Sequence, residues 1–155
     1  MTPWMHQNQE ISEADIPEKA LGFIYLIINS KTNMKYVGRK LLTKSGYRMV
    51  KGKRKKVRLK SDWESYWGSN ALLLEDYEKD PESFQRIIVQ FVFSKGELLY
   101  LEEKLQYLWK VLESEDWYNS NIRTKIFKKW VLKFPSNAVD FTQTLPHLLK
   151  TLPHQ

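Results

Sequence analysis

Cysteine is missing from the chain, which excludes disulfide staples, zinc sites built on thiolates and a cysteine nucleophile, and leaves packing to supply stability. Long apolar runs are missing too. No stretch approaches the roughly 18 to 20 residues that span a bilayer, and Met1 to Lys19 lacks a basic start followed by an apolar core, so neither a membrane helix nor a secretory leader is expected. A soluble protein of a reducing cytoplasm follows from these two absences. Histidine is scarce, with only His6, His147 and His154 present. His6 has no ligand-type neighbour and reads as a solvated side chain, and His147 and His154, each beside a proline, make a poor metal pair.

Acidic residues are absent from one place in particular. Between Arg39 and Lys60 lie eleven Lys and Arg and no Asp or Glu, whereas the rest of the chain carries 14 basic against 18 acidic residues. The formal charge of +7 is therefore a local feature on a slightly acidic protein, the distribution expected of a polyanion site rather than of general solubility. A length of 155 residues suits one domain with a real core. The expected organisation is an N-terminal arm over 1–20, a domain over 21–125 and a C-terminal extension over 126–155.

Two apolar runs flank a polar turn between Gly22 and Gly38. Ile24, Leu26 and Ile28 alternate with Tyr25, Ile27 and Asn29, and the stretch is rich in β-branched and aromatic residues, as a well-buried strand requires. Asn29 to Asn33 supplies turn residues before Lys35-Tyr36-Val37 returns, so the pattern predicts a β-hairpin. The basic segment follows. Gly46 and Gly52 break it, and five of the six residues from Lys51 to Lys56 are basic, so it reads as a self-repelling loop that orders on a phosphate backbone, with Lys44, Arg48, Lys51, Lys53, Arg54, Lys55, Lys56, Arg58 and Lys60 as contacts. Such contacts give affinity without sequence preference.

Ser61 with Glu64 three residues later predicts a capped helix ending near Gly68, and Trp63, Tyr66 and Trp67 share one aromatic face. Ser69 to Tyr77 predicts a second helix that stops at Asp80-Pro81. Phe84 to Phe93 is nearly continuous in strand-forming residues, Ser94-Lys95-Gly96 reads as a turn, and Glu97 to Leu112 is a helix with Leu98, Leu101, Leu105, Leu108 and Leu112 as its buried stripe. Glu102 borders that stripe, and Glu103 lies about 100° further round the helix. Lys125 to Lys133 suggests a short helix, and the proline-broken tail beyond Phe134 is open between packing on the domain, self-association and mobility.

Phe23-Ile24-Tyr25, with Tyr36-Val37-Gly38 following so that the tyrosines stand eleven residues apart, resembles the signature pair of the GIY-YIG nucleases, although Phe23 stands where glycine is usual. The order of strand, strand, basic loop, helices, strand, helix with Glu102 and then Tyr118-Asn119 resembles that family over Gly22 to Ile122. The finer pattern, Tyr36-Val37-Gly38-Arg39-Lys40, Ser61-Asp62-Trp63, Tyr66-Trp67-Gly68-Ser69 and Gly96-Glu97-Leu98, is similar to small stand-alone homing-type enzymes of bacteriophages.

The resemblance implies an α+β fold with a small three-stranded antiparallel sheet flanked by helices, and a metal-dependent DNA endonuclease acting on duplex DNA in the host cytoplasm. Glu102 would hold one Mg²⁺ or Mn²⁺, with Glu103 in reserve. Tyr25 would be the general base, its phenol made more acidic by the metal and nearby cations, and Tyr36 would position water or phosphate. Arg39 or Lys40 would be the family's cation, with Arg58 behind them. Tyr66 would replace the histidine that some members carry, and Asn119 would brace the site. A double-strand cut by one small site would favour a homodimer or sequential nicking. The alternative is a nucleic-acid-binding or interaction protein that keeps the fold without the chemistry.

Overall fold

Apolar at successive positions from Phe23 to Ile28, the first long strand has no solvent face to offer and needs cover on both sides. It has that cover, since every residue from Gly22 to Asn29 is buried. The computed structural model describes residues 2–122 and 128–152. Within them run strands β1 (Trp4–His6), β2 (Gln9–Ile11), β3 (Gly22–Asn29), β4 (Met34–Leu41), β5 (Thr43–Val50), β6 (Lys53–Lys60) and β7 (Phe84–Val92). The helices are α1 (Ala71–Lys79), α2 (Lys95–Leu108), α3 (Lys128–Val131) and α4 (Thr144–Thr151).

The class is α+β as expected, but the sheet is larger than three antiparallel strands. Five strands lie in the order β2-β1-β7-β3-β4, with β1 parallel to β7 and the other neighbours antiparallel. The first residues, expected as an irregular arm, supply the two extra strands. They are three residues each and too short to show alternation, yet Gln7 and Asn8 turn with φ of 50° and 65°, the left-handed pair that a two-residue hairpin loop needs. Trp4 is buried, and its indole donates to the Trp63 carbonyl at 2.8 Å. His6 is not simply solvated either, since Nδ1 lies 2.8 Å from the Ile88 carbonyl.

The expected basic loop is a two-stranded ribbon, β5 paired with β6. Lys51 and Gly52 turn it with φ of 50° and 75°. Its register explains how so much charge folds. Lys44 faces Leu59, Arg58 faces Ser45, Lys56 faces Tyr47, Arg54 faces Met49 and Lys53 faces Val50, so only Arg48 and Lys55 stand directly opposite as like charges, the arrangement that costs stability in a sheet. Total charge was visible in the sequence; cross-strand partners were not.

Between β6 and α1 the predicted helix is a single 3-10 turn over Trp63–Ser65. Ser61 spends its hydroxyl on the Leu41 carbonyl at 2.6 Å, and Glu64 pairs with Lys60, so neither is free to cap. Asn70 caps α1 by accepting from the Leu73 amide at 3.0 Å.

One sheet face packs on α2 through Ile24, Leu26 and Val37 against Leu98, Leu101 and Leu105, each buried leucine contributing about 1.5–3 kcal/mol. The other face holds Phe23, Tyr25 and Ile27 under Trp4, Trp63 and Trp67. Helix α2 starts earlier than expected because Ser94, read as a turn residue, accepts from the Glu97 amide as N-cap. It also ends earlier. Lys110 adopts φ 55°, while Val111 N donates to the Gln106 carbonyl and Lys110 N to the Tyr107 carbonyl, the paired bonds of a Schellman stop. Leu112 consequently leaves the expected stripe and is exposed, Leu108 at the last helical position is exposed as well, and Trp109 and Val111 are buried instead.

The tail packs on the domain where it is described. Ser136 N donates to the buried Glu97 carboxylate at 3.0 Å, and Phe141 joins the α2 core. The expected helix over Lys125 to Lys133 falls partly outside the described residues, as does His154. No helix among the described residues is long and apolar enough to cross a membrane.

Candidate active site at the edge of the sheet

Strand β4 is an edge of the five-stranded sheet, and its unpaired side would expose backbone amides and carbonyls. The segment after α2 covers it. Lys35 N donates to the Asp116 carbonyl at 2.8 Å, Tyr118 N donates to the Lys35 carbonyl at 2.7 Å, and the Asn119 amide takes both groups of Val37, accepting at 3.1 Å and donating at 2.8 Å. The side chain acts there as one more residue of strand.

Just past this seam the edge opens into a cleft of about 530 Å³, whose walls include Tyr25, Tyr36, Arg39, Tyr66, Glu102 and Asn119. Those six come from opposite faces of the sheet, and the backbone explains how they meet. Tyr25 pairs with Gly38 across β3 and β4. A Cβ on Gly38 would fall onto the Tyr25 hydroxyl and 2.6 Å from its Cζ, so the missing side chain is the passage through which the phenol reaches the edge. Beside Tyr25, β7 carries one extra residue, Val89, where the register shifts between Ile24 and Tyr25, a bulge of the kind that re-aims a side chain. A Cβ on Gly68, whose φ is 86°, would stand 3.4 Å from the same hydroxyl.

Arg39 points to the α2 side, and its Nη1 donates to Glu102 Oε1 at 2.8 Å. Tyr36 and Tyr66 flank Tyr25 at ring-centroid distances of 6.1 and 6.0 Å. Tyr66 is held from behind. Arg86, 1% exposed, donates to the Tyr66 carbonyl at 2.8 Å, the Glu64 carbonyl at 3.1 Å and the Thr2 carbonyl at 2.6 Å. Its guanidinium lies between the rings of Trp4 and Trp67 at 4.6 and 4.4 Å.

The electrostatics favour protonated acids. Burial raises the Glu102 carboxyl above its ordinary value, with Arg39 opposing. Burial pushes the Tyr25 phenol well above its ordinary value, and the neighbouring Tyr36, Tyr66 and Glu102 add to the effect. Tyr36 is raised by burial and by Glu102, against a hydrogen bond from Ser69 and the charge of Arg39. An acidified Tyr25 is therefore not what the chain's own groups produce, because desolvation of the phenolate outweighs every cation within reach.

The remaining expected residues lie elsewhere. Lys40 is on the opposite face of β4 from Arg39, 2.6 Å from Asp62 and 3.9 Å above the Tyr66 ring. Glu103 does not line the cleft. Arg58 is bound within the ribbon, donating to Thr43 Oγ1 at 2.7 Å, and Lys60 is taken by Glu13 and Glu64. Lys44, Arg48, Lys51, Lys53, Arg54, Lys55 and Lys56 are exposed on the ribbon.

Sequence reasoning missed Asn70, Gln106 and Asn121, which also line the cleft. Gln106 could have been found, being one helical turn beyond Glu102 on the same face. Asn70 could not, because its second contact, to the Tyr118 carbonyl at 2.9 Å, joins distant segments. With Glu102 as the carboxylate in its wall and Arg39 as its guanidinium, the cleft offers hard oxygen donors and an anion partner side by side.

A family model described as "Putative endonuclease segE, GIY-YIG domain" matches residues 4–122. The match begins at the first residue of β1 and so takes in the two N-terminal strands. No curated protein and no solved structure matches the chain.

Proposed function

Because the chain belongs to the GIY-YIG endonuclease family, we propose that the cleft at the edge of β4 hydrolyses phosphodiester bonds of duplex DNA with the support of Mg²⁺ or Mn²⁺. The observation that carries this reading is the meeting of Tyr25, Tyr36, Arg39 and Glu102 around one polar cleft that no single element could build.

The donor set fits such a cation. Among the described residues no three His, Cys, Asp or Glu side chains cluster as a closed metal site, and Mg²⁺ is ordinarily held by one or two carboxylates together with waters and substrate phosphate. Glu102 would be the protein ligand, with the amide oxygen of Gln106 within the same walls. Bound there, the ion supplies charge stabilisation at the phosphate oxygens.

The protein's own groups do the rest. Arg39, 40% exposed at its side chain, offers the N–H groups that Glu102 leaves free to the phosphate and neutralises charge that grows in the transition state. Tyr36 and Tyr66 hold the phosphate and the attacking water against Tyr25. Tyr25 keeps its proton at neutral pH, so it orients that water by hydrogen bonding, and its ionised fraction acts as base. Asn119 keeps the edge strand, and with it Arg39 and Tyr36, in register. Lys40 supports the Tyr66 ring rather than the phosphate.

The ribbon supplies affinity for the duplex. The similarity of Tyr36 to Lys40 and of Tyr66 to Ser69 to stand-alone phage enzymes supports a phage-encoded protein that cuts DNA in the host cytoplasm. Incubating supercoiled plasmid with wild type and with Glu102→Ala tests the reading. Nicked or linear product is expected from wild type with Mg²⁺ or Mn²⁺ and none from the variant, whereas intact plasmid under every metal and salt condition would leave the cleft as a binding site only.

A further inference from the structure

The ribbon β5–β6 is the largest feature that the cleft does not use. We propose that it lies in the major groove and reads base sequence within one helical turn of the cut, an inference that rests on duplex DNA being the substrate. Three observations carry it.

The first is size. Each strand has eight residues, or about 27 Å at ~3.4 Å per residue, which is roughly eight base pairs of duplex at ~3.4 Å each. A two-stranded ribbon fits the major groove, about 12 Å wide, and not the minor groove at about 6 Å. Every residue from Thr43 to Lys60 is exposed or half-buried, and the two strands pair only with each other.

The second is the root. Leu42 N donates to the Leu21 carbonyl at 2.9 Å and Ser61 N to the Leu42 carbonyl at 3.0 Å. One strand leaves directly from β4 with Arg39, and the other returns into the turn that carries Tyr66. The distance from cleft to ribbon is thus fixed by backbone hydrogen bonds.

The third is the difference between the two faces. The register puts Thr43, Ser45 and Tyr47 on one face with Arg54, Lys56 and Arg58. There Arg58 is oriented by the Thr43 and Ser45 hydroxyls at 2.7 and 3.4 Å, and Arg54 is stacked 3.8 Å over the Tyr47 ring. The Arg54 fork, stacked while exposed, suits bidentate readout of guanine better than a mobile lysine does, and Arg58, which donates from Nε and both Nη groups to Thr43 and Ser45, reaches a base by exchanging these ribbon contacts for its edge. The opposite face carries Lys44, Arg48, Lys53 and Lys55 around Gly46, Val57 and Leu59, mostly lysine point charges suited to the phosphate walls.

The test selects from a duplex library randomised over about three helical turns, roughly 30 base pairs, with metal chelated so that binding alone is read; cut positions are mapped separately. Two charge-matched pairs are compared, Arg54→Ala with Arg58→Ala and Lys53→Ala with Lys55→Ala. Wild type is expected to select a motif within about eight base pairs of the cut. The lysine pair should lower the salt slope of binding by about 2 and leave the motif intact, whereas the arginine pair should change the slope less and erase discrimination, by about tenfold or more. Arg54→Lys should keep the slope and lose its share of the motif. A wild type that selects no motif, a motif unchanged in the arginine pair, or equal preference for duplex RNA would overturn the inference. Plasmid cutting without a motif sinks the ribbon reading and leaves the endonuclease standing; a motif without cutting does the reverse.

Discussion

The edge cleft and the ribbon are built on opposite plans. The cleft draws Tyr25, Tyr36, Tyr66, Glu102 and Asn119 from five segments, and Glu102 is held by Arg39 and Asn119 by Val37. The ribbon is one continuous stretch, exposed or half-buried along its length. In the cleft, position is everything and charge is nearly balanced; on the ribbon, charge dominates and salt screens it within a Debye length of about 8 Å at physiological strength. On the proposed function, mutation should therefore separate chemistry from affinity.

The largest expected effect is on the chemistry. Glu102→Ala should lower the cleavage rate by about 10²- to 10³-fold or more while duplex affinity stays within a fewfold of wild type, as measured by single-turnover cutting and equilibrium binding. A parallel fall in both would erase the distinction between the two regions. Next comes Arg86, which satisfies three carbonyls and sits between two tryptophans. Arg86→Ala should cost about 3 kcal/mol or more in denaturant unfolding and, through Tyr66, slow cutting without changing the salt slope of binding.

Gly38→Ala should cost about 1–3 kcal/mol of stability, and by displacing the Tyr25 hydroxyl it should slow cutting roughly tenfold or more. Its binding curve should match that of wild type. A variant that cuts normally would show that the Tyr25 hydroxyl is not needed at the edge. pH sharpens the same point. Tyr25 and Tyr36 are both raised by burial, so the cleavage rate should climb from neutral into alkaline pH, and a flat profile would remove Tyr25 as base.

The smallest effect concerns Glu102 and stability. Burial raises its folded value, so folding favours the protonated acid; that contribution is present below the unfolded value of about 4.3 and is lost as pH rises through the folded one. Glu102→Gln avoids the loss. Its thermal midpoint should lie above that of wild type at neutral pH, with the margin closing in acid, and an unchanged margin across pH would show that the carboxylate is not desolvated.

Much of the cleft was legible because its residues sit in a motif. Tyr25, Tyr36, Glu102 and Asn119 could be named from spacing and resemblance, and all four line it. The choice between Arg39 and Lys40 could not be made, since neighbours on a strand face opposite ways and only the register says which meets α2. The ribbon was legible as charge and illegible as shape, because its folding depends on which neutral residue faces each cation. The end of α2 was hidden for another reason. Lys110 takes the left-handed position where glycine is the usual mark, so the leucine spacing ran on past the real stop.

One experiment sets the two regions against each other: plasmid cutting and duplex binding, each across a salt series, for wild type, Glu102→Gln and a variant with Lys53, Arg54, Lys55 and Lys56 all replaced by Ala. Glu102→Gln should bind with the wild-type salt slope and not cut. The ribbon variant should cut at low salt, fail at physiological salt and show a slope smaller by about 2 or more. Cutting by Glu102→Gln, or a ribbon variant whose salt slope equals that of wild type, would contradict the assignment of chemistry to the cleft and affinity to the ribbon.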